Sequence, residues 1–220
     1  MTQHDYAAAR DYMVDGQVRP NKVIDPRIVR AMRTLPRERF VPPSVMSLAY
    51  ADEDVPLGQG RVLVEPMVIA RLVQLARVRD GERVLVIGAG PGYGAALMAA
   101  CGGEVTALEQ DPALLAIMRP LLAELAPGVR VIDGPLADGQ ADQVWDVIMI
   151  EGAVRAIPAA LATQLRHSGG RLVTVMNKSG GPVGTGVLAE PSGAGLREHA
   201  EFDCETPLLR PLVPAPRFQF

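Results

Sequence analysis

The sequence predicts an α/β fold, a doubly wound and mostly parallel sheet with helical additions at its N-terminus. Three observations predict it. From Arg83 to Met176, short apolar runs alternate with segments of helical periodicity, as parallel strands joined by helical crossovers do. The run at 84–87 passes directly into Gly88-Ala89-Gly90-Pro91-Gly92-Tyr93, a turn with glycine at alternate positions. A second run, 104–108, ends at Glu109, 19 residues after Gly90. That places a carboxylate at the carboxyl end of the neighbouring strand, where a ribose lies in folds of this kind.

The elements follow in order. Residues 1–22 read as a polar lead-in with helical pattern at 6–14. Asp25-Pro26 starts a helix, because Asp accepts from free N–H groups and Pro suits the first helical position. Ile28, Val29, Met32 and Leu35 recur at helical spacing, and Pro36 stops the run. Arg37, Glu38 and Arg39 read as a solvated patch, followed by a short helix at 44–48. Gly58 and Gly60 make 49–66 a loop whose end, Val62-Leu63-Val64, is apolar and extended. Asp52, Glu53 and Asp54 read as an exposed acidic turn, with a catalytic cluster as the alternative. Pro66 opens a helix burying Ile69, Leu72, Val73 and Ala76.

A helix at 93–101 follows the glycine turn, and Asp111-Pro112 starts another that carries Leu114 to Leu125 and contains Pro120. Strands are expected at 129–132, 144–150 and 171–176, the second ending at Glu151-Gly152-Ala153, with a helix around Leu161 and Leu165. Residues 179–186 read as a flexible or tightly turned loop, and 187–189 and 196–202 as edge or hairpin strands. Leu208, Leu209 and Leu212 are expected to pack on the sheet, and Phe218 and Phe220 either dock or stay exposed. Residues 1–80 are read as an extension bearing a substrate loop, and 81–220 as the nucleotide-binding part, together behaving as one domain.

The chain has 220 residues, 48% of them hydrophobic and 21% charged, with a formal net charge of -3. No basic excess points to nucleic acid. The first residues lack the pattern of a secretory signal, and no apolar run reaches the ~20 residues of a membrane span. Cys101 and Cys204 lack metal-ligand spacing, and His4, His167 and His199 form no metal pattern. These features suggest a cytoplasmic protein with reduced thiols, monomeric or homodimeric. The glycines allow close approach of backbone to a ligand, and the following helix start offers free N–H groups. Tyr93 stands where a dinucleotide fingerprint needs its last glycine. The spacing suits S-adenosylmethionine (SAM) better, leaving a dinucleotide or a purely structural turn as alternatives.

The segments MVDGQVRPNKVIDPRIVRAMRTLPRERFVP (13–42), AYADEDVPLGQG (49–60), the glycine turn and LRHSGGRLV (165–173) give the chain a resemblance to the protein-L-isoaspartate O-methyltransferase family. It runs over about three quarters of the sequence. The resemblance implies a SAM-dependent fold and methyl transfer to the free carboxylate of isoaspartyl residues in damaged proteins or peptides. It implies cofactor contacts at Gly88, Ala89, Gly90, Gly92, Tyr93, Glu109, Gln110, Gly134, Pro135 and Glu151. The substrate would meet Asp54, Arg61 and Val64.

The chain departs from that family in four places. Its substrate loop reads Gly60, Arg61, Val62, Leu63, Val64, Glu65, Pro66 where the family has glycine, glutamine, threonine, isoleucine, serine, glutamine, proline. Two hydroxyl donors are lost and a charge is gained; Arg61 is a candidate to compensate, or to neutralise Glu65. Val86 replaces an acidic residue before the glycine turn. Gly134-Pro135-Leu136 replaces glycine-aspartate-glycine, and Glu151 replaces a threonine. Three readings therefore stand: an isoaspartyl methyltransferase, a SAM-dependent methyltransferase with an altered substrate, and a non-catalytic relative that binds or scaffolds.

Overall fold

Short polar punctuation starts the helices of this computed structural model, which describes residues 5–193 and 195–213. Asp5, Asp25 and Asp111 cap helices α1 (Tyr6–Met13), α2 (Pro26–Thr34) and α5 (Pro112–Leu125). Each side chain accepts from a free backbone N–H, and proline follows two of these caps. α1 runs into one wide turn, Val14–Val18, and a 3-10 helix, Pro43–Leu48, stands where a short helix was expected. Helices α3 (Pro66–Ala76), α4 (Tyr93–Ala100) and α6 (Ala159–Thr163) complete the set. α5 continues through Pro120 to Leu125.

Among the described residues, strands β1 (Val55–Gly58) and β2 (Arg61–Leu63) pair only with each other, as a small antiparallel hairpin. The main sheet contains β3 (Arg83–Ile87), β4 (Glu104–Glu109), β5 (Arg130–Asp133), β6 (Val147–Val154), β7 (Arg171–Met176), β8 (Gly184–Ser192) and β9 (Gly195–Cys204). Its order is β5-β4-β3-β6-β7-β8-β9. The first five strands are parallel, and β8 and β9 add antiparallel. Val84 lies level with Val105 on one side and Val147 on the other. The chain winds from β3 outward through β4 and β5, then returns to β6 on β3's other side. The crevice at the carboxyl ends of β3 and β6 is thus the topological switch point.

β3, β6 and β7 are apolar almost throughout because both faces are covered. One core face joins Met32, Phe40 and Leu72 to Val84, Met98 and Val173; the other gathers Leu85, Ile148, Leu161 and Trp145. The N-terminal helices therefore pack on the same core as the sheet. Both cysteines are free and buried, and Met32, Met98 and Met118 are core residues. Leu209 and Leu212 are buried on the sheet. Phe218 and Phe220, like His4, lie outside the described residues.

The 37–39 segment corrects the sequence reading. Arg39 is exposed and pairs with Glu124, but Arg37 is fully buried. Its Nε donates to the Ala49 carbonyl at 2.7 Å and its Nη2 to the Val64 carbonyl at 2.7 Å. Charge patterning reads Arg37 as solvated because it cannot show that two distant carbonyls converge on one guanidinium.

Candidate functional site

The glycine turn hangs from the end of β4. Gly88 and Ala89 N–H groups both donate to the Leu108 carbonyl, at 3.0 and 3.2 Å. Gly88 and Gly90 take φ of +66° and +56°, left-handed values that favour glycine. The turn brings the Gly90 N–H to Glu109 Oε2 at 2.8 Å. Glu109 Oε1 accepts from the Gln110 and Asp111 N–H groups at 2.9 and 3.0 Å. The carboxylate predicted from spacing is therefore held rigidly at the switch point, and it has no solvent exposure.

Arg61 completes its coordination. The β1–β2 hairpin folds over the turn, and Arg61 grips Glu109 with both arms, Nη1 to Oε1 at 2.9 Å and Nη2 to Oε2 at 2.8 Å. Nη2 also donates to the Gly88 carbonyl at 2.9 Å. Such a fork-to-carboxylate pair is strong and directional. Arg61 is spent on the glycine turn, so it neither neutralises Glu65 nor presents itself to a substrate carboxylate.

A second segment closes the crevice. Leu209 N–H donates to the Ala153 carbonyl at 2.8 Å, and Ala153 N–H to the Pro207 carbonyl at 3.2 Å. This seats Leu209 so close to two glycines that a Cβ on Gly88 would stand 2.7 Å from its Cδ2. A Cβ on Gly152 would stand 3.1 Å from its Cβ. On the far side, Gln110 Oε1 accepts from the Leu136 N–H at 3.1 Å, and Leu136 is buried. Gly134 donates its N–H to the Glu109 carbonyl at 3.2 Å, while Pro135 is exposed and has no N–H to give.

The turn and Glu109 are what a nucleoside requires: backbone at close approach and a fixed acceptor for ribose hydroxyls. The space is not there. Every acceptor direction of Glu109 is used, and Leu209 covers Gly88. As folded, these residues do not fit SAM. Open volume lies alongside instead. A cleft of about 1000 Å³ is lined by Asp54, Gly60, Arg61, Asn177, Glu205 and Arg210. A smaller one, about 400 Å³, is lined by Gln59, Arg61, Gln110, Asp111 and Arg210.

The other expected positions divide. Gly92 (φ +100°) faces α5 rather than the crevice; a Cβ there would lie 2.9 Å from Leu122 Cδ1. Tyr93 also turns away, fully buried with its ring edge-on to Phe40 at 5.2 Å and the Arg37 guanidinium 4.9 Å from its centroid. Val64 is buried, and it is tied through its carbonyl to Arg37. Asp54 accepts the Glu65 N–H at 2.7 Å. Burial pushes Asp54 up to about 6; burial, then Asp52 and Asp54, push Glu65 up to about 7. Glu151, at the crevice end of β6, is pushed up by burial to about 8, and among the described residues its Oε2 has no hydrogen-bond partner. Arg37, Leu136 and Leu209 were missing from the sequence-derived site. A buried arginine between prolines gives no local signal, Leu209 reads as ordinary packing, and Leu136 reads only as the end of the departure at 134–136.

Comparison with known proteins agrees with this architecture. Residues 10–183 match the family model described as Protein-L-isoaspartate(D-aspartate) O-methyltransferase (PCMT). The chain is 39% identical over 170 residues to Protein-L-isoaspartate O-methyltransferase 1 of Rhodopseudomonas palustris, covering 76% of this chain and 69% of that protein. It is 41% identical over 168 residues to Protein-L-isoaspartate O-methyltransferase 2 of Anaeromyxobacter sp., covering 74% and 68%. A solved protein-L-isoaspartate O-methyltransferase shares the fold at TM-score 0.78 and 23% identity, over 90% of this chain and 65% of that one. A Plasmodium falciparum protein described as a beta-aspartate methyltransferase, solved with S-adenosyl-L-homocysteine, superposes at TM-score 0.72 and 16% identity, over 94% and 99%. The chain belongs to the protein-L-isoaspartate(D-aspartate) O-methyltransferase family and has the fold of the SAM-dependent methyltransferases.

Proposed function

We propose that this chain is a SAM-dependent carboxyl methyltransferase acting on proteins or peptides that carry isoaspartate. The observation that carries the reading is Glu109, a buried carboxylate at the carboxyl end of β4 held against the glycine turn at the switch point, the position from which an acidic residue meets a ribose in folds of this kind. The acceptor carboxylate is ionised at neutral pH, so the chain needs no general base. Its task is placement, holding one carboxylate in a fixed direction. The cleft of about 1000 Å³ along the β1–β2 hairpin supplies the room for a peptide, with Arg210 at its wall.

The non-catalytic reading has one specific observation in its favour, the Arg61 fork on Glu109. Labelled SAM incubated with an isoaspartyl peptide and its aspartyl isomer separates the readings. Label in the isoaspartyl peptide alone is the expected result. Binding of SAM without label transfer to that peptide would point to an altered substrate. No binding up to millimolar SAM, in folded protein, would leave the non-catalytic reading standing.

A further inference from the structure

We infer that the β1–β2 hairpin and the 207–212 segment form an autoinhibitory latch, with Arg61 taking the place of ribose hydroxyls on Glu109 and Leu209 covering Gly88. The inference rests on the SAM reading and explains why the crevice does not fit that cofactor as folded.

Four observations carry it. Arg61 gives Glu109 two donors in a fork, and two donors are also what a ribose diol would offer. The same guanidinium reaches the Gly88 carbonyl, so one side chain spans turn and acid together. Leu209 then fills the space over Gly88 and Gly152. The two parts also touch each other, because a Cβ on Gly60 would lie 2.9 Å from Arg210 Nε. Hairpin and tail segment therefore block the crevice from two sides and meet at its mouth.

The hairpin half of the latch stands apart from the main sheet, and the tail half is held to it at one point. Among the described residues the hairpin pairs with no strand of the main sheet. Its tip, Gly58-Gln59-Gly60, holds three consecutive left-handed residues, with φ of +97°, +51° and +74°, and at Gln59 that conformation is unfavourable for a residue with a side chain. The 207–212 segment is fastened to the carboxyl end of the central strand β6 by the two backbone hydrogen bonds at Ala153. The cleft of about 400 Å³ between Gln110 and Arg210 opens beside the same pair.

A ligand that binds only the open form has its apparent affinity reduced by the open fraction. The test uses S-adenosyl-L-homocysteine as an unreactive probe, with calorimetric titration of the wild type, Leu209→Ala and the Arg61→Gln/Leu209→Ala double variant. Circular dichroism checks each fold. The double variant is expected to bind at least about tenfold more tightly than the wild type. Leu209→Ala should fall between them, and it keeps the ion pair intact should the double variant not fold. Hydrogen exchange supplies a readout that simple packing would not give: the probe should speed exchange at 55–63 and 207–212 while slowing it at 88–90. Equal affinity in all three proteins, or slower exchange throughout, overturns the latch and leaves the methyltransferase reading intact. Failure of every protein to bind overturns both.

Discussion

Arg37 shows what a charge without solvent does for this chain. Its fully buried guanidinium ties the Ala49 and Val64 carbonyls together, anchoring both ends of the segment that carries the hairpin. Charge-assisted hydrogen bonds are worth about 1.5–3 kcal/mol each. Arg37→Met, which breaks two of them, should therefore lower stability by about 3 kcal/mol or more in urea denaturation. Arg39→Ala, on the solvated side, should leave the midpoint unchanged. Glu151 gives a pH signature. Its folded pKa is raised from 4.5 to about 8 by burial, so folding favours its protonated form. That contribution is complete below the unfolded value and is lost as pH rises toward 8. Glu151→Gln should accordingly melt higher than the wild type at pH 8.5, with the gap narrowing toward pH 5. At this scale the sequence revealed Glu109 and the glycines, because strand ends and turns are local. It hid the partners of Arg61, since Arg61 and Glu109 are 48 residues apart, and their pairing follows from where the hairpin lands.

Elements were legible where their signals are short-range. Asp25-Pro26 and Asp111-Pro112 start helices where the cap chemistry says they must. Asp111 accepts from Ala113 at 2.8 Å and from Leu114 at 3.4 Å, so Asp111→Ala should cost about 1 kcal/mol, read from the thermal midpoint. Boundaries governed by the sheet were less legible. The strand expected at 144–150 is observed as Val147–Val154, because Trp145 instead bridges to Leu165 while β6 continues past Gly152. The continuation needs a register shift against β7 between Met149 and Ala153, which no apolar count discloses. The same shift sets Gly152 beneath Leu209. From sequence the hairpin at 55–63 reads only as a loop with an extended end, since three of its residues must adopt positive φ before its strands can meet.

Across the whole molecule, stability should grade from the sheet's centre to its edges. β3, β6 and β7 are covered on both faces, whereas β9 is a mostly exposed edge strand. Native-state hydrogen exchange should be slowest in β3 and β6 and fastest in β9; uniform protection would contradict that gradient. The doubly wound, mostly parallel architecture was legible because strand and helix alternate and such alternation leaves few right-handed topologies; the strand order was not. Closure of the crevice was not, because it depends on residues from 55–63 and 207–212 arriving at one point from opposite ends of the chain.

The pairing of Arg61 with Glu109 is unequal, and the inequality bears on how such a chain can change by descent. Glu109 without Arg61 still accepts three backbone N–H groups, from Gly90, Gln110 and Asp111. Arg61 without Glu109 retains the Gly88 carbonyl alone and becomes a buried cation lacking its counter-charge. Replacement of the arginine is thus the milder first step. A lineage carrying this site has an accessible single-residue route toward an open nucleoside pocket, whereas losing the acid first leads through a poorly folding intermediate.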